Sequence, residues 1–167
     1  MAQAERATGE LDVHAPVQAE AFVVCQRDGH VELTGPCGAA PWLIEVARDE
    51  HPLEVVDRMV RATIGPPILV HSTSWRRARG GVILTFVVVI PACLAATMDS
   101  EPVRRAELAR SAATAAPAAI AHTQVVEHGM RHLAWLVLDD PVVAAELEDP
   151  WPGILAEYVP EPFRALG

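Results

Sequence analysis

The sequence has no lysine and no asparagine, and only three cysteines and one tyrosine, among its 167 residues. Three scattered cysteines without a Cys-x-x-Cys pair predict neither a disulfide framework nor a zinc or dithiol site, so a reducing cytoplasm is the expected compartment. All 13 basic residues are arginines, and they face 22 acidic residues. The formal net charge of −9 disfavours general binding to nucleic acid or to anionic membrane surfaces.

Long hydrophobic runs are absent as well. The most apolar stretch, residues 82–96, is shorter than the roughly 20 residues that cross a bilayer. Residues 1–19 are polar and acidic and lack the basic-then-apolar order of a signal peptide, so export is not expected. Neither a Gly-x-Ser-x-Gly elbow nor a lysine-bearing phosphate loop occurs, so nothing favours serine-hydrolase or P-loop chemistry.

The remaining composition, 51% apolar and 21% charged, is typical of one globular domain. We expect a flexible tail over residues 1–18 and a single α/β (α+β) domain over residues 19–167. Within that domain, residues 19–93 predict a sheet-rich core with one helix. Residues 94–167 predict a helical C-terminal portion, in which prolines at first-turn positions begin several helices.

Strand patterns dominate the first half. Residues 21–25 and 30–34 are apolar runs on either side of Asp28-Gly29, which is a strong hairpin signal, and residues 42–46 predict a third strand. Residues 68–75 and 81–90 predict a second hairpin whose basic tip spans residues 76–80. Because residues 82–90 are apolar almost without alternation, we expect a central strand with helices on both faces of the sheet.

Residues 49–67 carry the clearest helical pattern. Acidic residues and Pro52 stand at its start, and Gly65-Pro66-Pro67 ends it. The helical spacing predicts a core-facing side made of Leu53, Val56, Met59, Val60 and Ile64.

The order of these elements and the sequence of this helix resemble a Nudix domain with a degenerate signature. Glu50 matches the first glutamate of the Nudix box, Arg58 its arginine, Val60 the apolar position and Gly65 the late glycine. The remaining box positions depart from the signature; they hold Ile44, Met59, Ala62, Thr63 and Pro66. The resemblance covers roughly residues 20–115 and implies a mixed sheet sandwiched between helices.

In that family the glutamates after the arginine hold the magnesium ions that activate water on a diphosphate. Methionine, alanine and threonine supply no such ligands. The resemblance therefore implies a domain without metal-dependent pyrophosphohydrolase activity, with no cofactor. An unrelated α+β domain is the alternative that the pattern leaves open.

A ligand site is predicted around the second hairpin. Arginine forks suit phosphate or carboxylate, and an exposed tryptophan can stack on a ring. We expect a small phosphorylated or nucleotide-like ligand to contact Arg58, His71, Trp75, Arg76, Arg77 and Arg79. A solvated hairpin tip without a ligand is the alternative interpretation.

Two other classes of function stay open. A hydrolase with a non-standard site, dependent on magnesium or zinc, would draw on Glu50, Glu127, His128 and His132, because His128 and His132 stand one helical turn apart. A structural or interaction protein is the third class. Its aromatic C-terminal stretch, residues 149–163, would pack on its own core, close over a pocket or seal a homodimer.

Overall fold

The computed structural model of the chain describes residues 16–78, 80–106 and 121–160. Six strands and five helices lie in this part of the chain. In chain order they are β1 (Val17–Arg27), β2 (His30–Thr34), β3 (Trp42–Val46), α1 (Pro52–Thr63), β4 (Leu69–Ala78), β5 (Gly81–Val89), α2 (Ala92–Ala95), β6 (Glu101–Pro102), α3 (His122–Asp139), α4 (Pro141–Glu146) and α5 (Trp151–Leu155).

The six strands form one mixed sheet around β1. Its path runs β4-β5-β1-β2-β6, and β3 also pairs with β1. One edge of β1 runs parallel to β5 over eight residue pairs, from Val17 opposite Val82 to Val24 opposite Val89. The other edge is divided, because β3 pairs with residues 17–21 and β2 pairs with residues 23–27. All pairs other than β1–β5 are antiparallel.

Helices cover both faces of this sheet, as the apolar run of β5 predicts. Alternate residues of a strand point to opposite faces. Phe86 and Val88 of β5 pack in a cluster with α1, whereas Val87 and Val89 pack in a second cluster with α3. We call these the α1 face and the α3 face. The predicted α+β class, with a mixed sheet between helices and a helical C-terminal part, is confirmed.

The helix α1 buries one side against the sheet. Val55, Val56 and Val60 are its buried residues, and Pro52 stands in its first turn, where no amide partner is needed. Leu53, predicted to face the core, is 39% exposed. Val55 is buried in its place, whereas the other four predicted residues pack on the cluster of the α1 face.

The C-terminal helices pack on α3. Asp140 caps α4 by accepting hydrogen bonds from the amides of Val142 and Val143. Trp151 and Tyr158 are buried in the cluster on the α3 face. The aromatic residues of the C-terminal stretch that are described therefore pack on the chain's own core.

The structure differs from the sequence prediction at several boundaries. The first strand begins at Val17, inside the predicted tail, and β4 continues through Arg76 and Arg77, which were predicted to form the hairpin tip. The short strand β6 lies in the segment predicted to be helical, where its residues pair with Glu32 and Leu33. The predictions for residues 1–15, 107–120 and 161–167 lie outside the described residues. Within the described ranges, no helix is long and apolar enough to cross a membrane.

Gly129 provides a test of how closely α3 lies on the sheet. A Cβ at this position would lie 2.6 Å from Cγ2 of Val87, a buried methyl on the central strand β5. Overpacking costs about 1–3 kcal/mol, whereas replacing a helical glycine by alanine gains about 1 kcal/mol. We expect Gly129→Ala to lower the free energy of unfolding in urea by roughly 1 kcal/mol.

The matched control is Gly153→Ala in α5, where no atom lies within 4 Å of the added Cβ. This variant should be neutral or slightly more stable than the parent protein. Equal stability of the two variants would contradict the close packing of α3 on β5.

Candidate functional site

A groove lies on the α3 face, at the end of the sheet where β1 and β5 begin. Its volume is about 440 Å³. Most of the strand residues in its lining stand at alternate positions, as expected for one face of a sheet, and Val17 and Val82 complete the lining where β1 and β5 begin. They include Gln18 and Glu20 of β1, Leu43 and Glu45 of β3, Arg76 of β4 and Ile83 of β5. His122, the first residue of α3, also lines the groove.

An ion pair between a buried carboxylate and a partly exposed guanidinium forms the floor of this groove. The guanidinium of Arg76 donates to both carboxylate oxygens of Glu20, at 2.7 and 2.8 Å, and also to the hydroxyl of Thr85 at 3.2 Å. Glu20 lies in the central strand and is only 2% exposed, which is unusual for an acidic side chain. Hydrogen bonding to this carboxylate raises the pKa of Arg76 above its ordinary value.

A β-bulge in β4 determines which side chains reach the groove. The pairing of β4 with β5 shifts by one residue between Ser72 and Ser74, so Thr73 is the extra residue. His71 and Arg76 are five positions apart and would face opposite sides of a regular strand. Because of the bulge, both lie on the α3 face.

The same register separates the predicted ligand residues. Trp75 is paired with Leu84, whose side chain packs in the cluster on the α1 face. Arg77 is paired with Val82, which lies two residues before Leu84 on β5 and so has the same orientation. Trp75 and Arg77 therefore share the α1 face, and both are exposed. Arg58, also exposed, donates to Glu50 at 2.6 Å on the helix α1. Arg79 lies outside the described residues.

Of the six predicted ligand residues, the structure thus places one, Arg76, in the groove. Glu20 was missed because the first strand was expected to begin after it. Its sequence signal is a carboxylate between Ala19 and Ala21 in a run that is otherwise small and apolar. The bulge was missed as well. Its sequence signal is the run Ser72-Thr73-Ser74, in which no apolar residue fixes which side chains of the strand face the core.

A second buried carboxylate, Glu127, joins three parts of the C-terminal region. It is fully buried and accepts hydrogen bonds from Arg105 at 2.9 and 3.1 Å and from Arg131 at 2.8 Å. Arg105 also lies 4.2 Å from the ring centre of Tyr158 and donates to the carbonyl of Glu157. Burial alone would raise the pKa of Glu127, but the two guanidinium groups outweigh it and hold that pKa below its ordinary value.

Two histidines meet where α3 crosses β4. Nε2 of His71 lies 3.1 Å from Nδ1 of His132, within hydrogen-bond distance. The ring of His132 also lies parallel to those of His128 and Trp135, with centroids 6.4 and 5.6 Å away. Burial lowers the pKa of His71, and the charge of Asp140 partly opposes this shift.

The residues named for a non-standard hydrolase are not gathered into one site. Glu50 is paired with Arg58 beside α1, on the opposite face of the sheet from His128 and His132. The carboxylate of Glu127 is enclosed by two arginines. Among the described residues, no three histidine, cysteine, aspartate or glutamate side chains lie together as a metal would require.

The cluster around Glu127 predicts a specific dependence of stability on pH. Because the pKa of Glu127 is lower in the folded chain, its contribution to stability is present above about pH 4.3 and is lost as the pH falls through the folded pKa. We expect Glu127→Gln to lose roughly 1–3 kcal/mol at pH 7 in urea unfolding, because two guanidinium groups lose a charged partner. This variant should also be less sensitive to acid than the parent protein between pH 5 and 3.

Glu146→Gln, which changes an exposed carboxylate on α4, is the matched control and should leave both the stability and its acid dependence unchanged. If the two variants behave alike, Glu127 does not hold this region together.

Comparison with models of known protein families and with curated proteins finds no match to the chain. The resemblance to Nudix domains therefore stays a prediction, based on the order of the elements and on Glu50, Arg58, Val60 and Gly65. The assignment of a function depends on the geometry of the groove and of the two buried polar clusters.

Proposed function

We propose that the protein binds a small nucleotide-like ligand in the groove on the α3 face, without catalysing a reaction. The observation that carries this proposal is the Glu20–Arg76 ion pair at the groove floor. Replacing a buried ion pair by well-packed apolar residues is often neutral or stabilising, so stability alone gives little reason for such a pair. Departures from the apolar pattern of a sheet face are expected where a site is built.

The groove offers both of the surfaces that a nucleotide-like ligand needs. Leu43 and Ile83 provide apolar walls for a flat ring, and Leu43 is 52% exposed. Arg76 has five N–H groups and makes three hydrogen bonds to Glu20 and Thr85, so it retains donors for a ligand. Glu45 and Gln18 add acceptors for the polar edge of a base.

The charges of the groove suggest how such a ligand would be oriented. His122, the first residue of the 18-residue helix α3, lines the groove, and a helix N-terminus carries a partial positive charge. A phosphate group is best accommodated there. The exposed carboxylate of Glu45 stands in the same groove, and Glu20 neutralises Arg76. Nucleosides and nucleoside monophosphates should therefore bind more tightly than triphosphates.

We further propose that the fold is Nudix-like and that binding needs no metal. The helix α1 offers Met59, Ala62 and Thr63 where the family has metal-binding glutamates. Glu50 and Arg58, two of the matching residues, are bound to each other. The cytoplasm as compartment and the absence of nucleic acid among the partners stay predictions from the sequence.

The test is the melting temperature in a panel of nucleosides, nucleoside mono-, di- and triphosphates and sugar nucleotides, each with magnesium, zinc or chelator. A ligand at 100 times its dissociation constant adds about 2.7 kcal/mol, which raises the melting temperature of a chain this size by roughly 5–10 °C. We expect an increase that is independent of metal. A flat panel would contradict the proposal, and an increase that requires metal would favour the hydrolase.

Variants at two adjacent arginines of β4 test where the ligand binds. Arg76→Gln should abolish the thermal shift, whereas Arg77→Gln, on the opposite face of the same strand, should leave it unchanged. Because Arg76→Gln leaves Glu20 buried without its partner, Leu43→Glu provides a second test that keeps the ion pair. Its control is Leu138→Glu, which changes an exposed leucine roughly 24 Å along α3 from His122. Loss of the shift in either control would place the ligand elsewhere.

A homodimer also stays a prediction. Leu138 and Val142 are 76% and 68% exposed at the junction of α3 and α4, and they would suit a second copy of the chain. Gel filtration of the parent protein and of Leu138→Glu distinguishes a dimer sealed at this junction from a monomer.

A further inference from the structure

We propose that the contact between His71 and His132 is an acid-labile latch, which adds to the apolar packing of α3 beside the edge strand β4 near neutral pH and opens in acid. The latch requires no ligand and is independent of the proposed function. It rests on the position of the two rings and on the number of protons that they can carry together.

The contact joins the helix α3 to the strand β4. β4 is the last strand on its side of the sheet path, and His71 faces α3 from that strand. His132 is 3% exposed. With Nε2 of His71 lying 3.1 Å from Nδ1 of His132, one ring donates an N–H and the other accepts it through a lone pair.

Protonation acts on this contact in two steps. The neutral pair holds two protons on four ring nitrogens, and one of these protons lies between the rings. A third proton can enter at an outer nitrogen and leave the hydrogen bond in place. A fourth proton places an N–H on each facing nitrogen and two positive charges a few ångströms apart, so the contact must open.

The surroundings favour the neutral pair. His71 is half-buried, and burial lowers its pKa. From α3, the rings of His128 and Trp135 lie parallel to His132. From the start of α4, the charge of Asp140 acts on His71 in the opposite direction to burial. On the adjacent strand β5, the residue paired with His71 is Val87, which is uncharged. Arg131 of α3 is bound to Glu127.

The direction of the pH dependence follows from this depressed pKa. Once the contact is open, both histidines titrate near the ordinary value of about 6.5. The latch is therefore fully closed above that pH and weakens as the pH falls below it. Each proton taken up on opening raises the opening constant up to tenfold for every further pH unit.

Amide hydrogen exchange followed by mass spectrometry tests the latch in the full chain. After correction for intrinsic exchange rates, the protection of α3 residues 122–139 should fall roughly tenfold between pH 7.5 and pH 5.5. The protection of β1 residues 17–27 should change much less, because β1 is paired on both edges. An equal fall in both segments would indicate global unfolding and would overturn the proposal.

The key variant is His71→Gln. The glutamine amide can present either its N–H or its oxygen to His132, so the contact survives whether His132 is neutral or charged. This variant should keep the protection of α3 at pH 5.5. If His71→Gln already lowers the protection of α3 at pH 7.5, the test is repeated with His132→Gln, from the other side of the contact.

His30→Gln is the matched control, because His30 is exposed on β2 and lies outside the contact. It should lose protection of α3 in acid as the parent protein does. Acid-dependent loss of protection that is the same in all three variants would show that the pair is no latch.

Discussion

The pairing of β1 on both of its edges is the constraint on which the remaining structure depends. Its parallel contact with β5 brings together two largely apolar segments, and their alternate residues pack in the clusters on the two faces. A strand buried in this way requires helices above and below it. The positions of α1 and α3 therefore follow from the sheet, and the groove is the part of the α3 face that extends beyond the first residue of α3.

Much of this fold could be predicted from local patterns. The Asp28-Gly29 hairpin, the third strand and the apolar strand β5 are all specified by residues within a few positions of each other, and the structure has them at the predicted places. The local sequence pattern failed to predict elements that depend on pairing with residues far away in the sequence. The strand β6 exists because two residues pair with β2, some 70 positions earlier, and no local signal distinguishes it from the start of a helix.

The site was harder to predict for the same reason. The sequence identified Arg76 as a ligand residue but placed it in an exposed turn with its neighbours. One extra residue at Thr73 changes the alternation of β4, so adjacent arginines face opposite sides of the sheet. The partner of Arg76 is Glu20, at a separation of 56 residues, and that of Glu127 is Arg105, at a separation of 22 residues. By contrast, the bond between Glu127 and Arg131 could be read from helical spacing alone.

The divided edge of β1 has a consequence for how the chain is made. A ribosome releases β1 first, and β2 and β3 follow within 30 residues to cover one edge. The edge that pairs with β5 must wait for a segment about 65 residues later, which at 5–20 residues per second takes roughly 3–13 s. During that interval the nascent chain presents the unpaired backbone of an apolar strand, a template for aggregation. The strand that organises the finished protein is thus the one most in need of protection during synthesis.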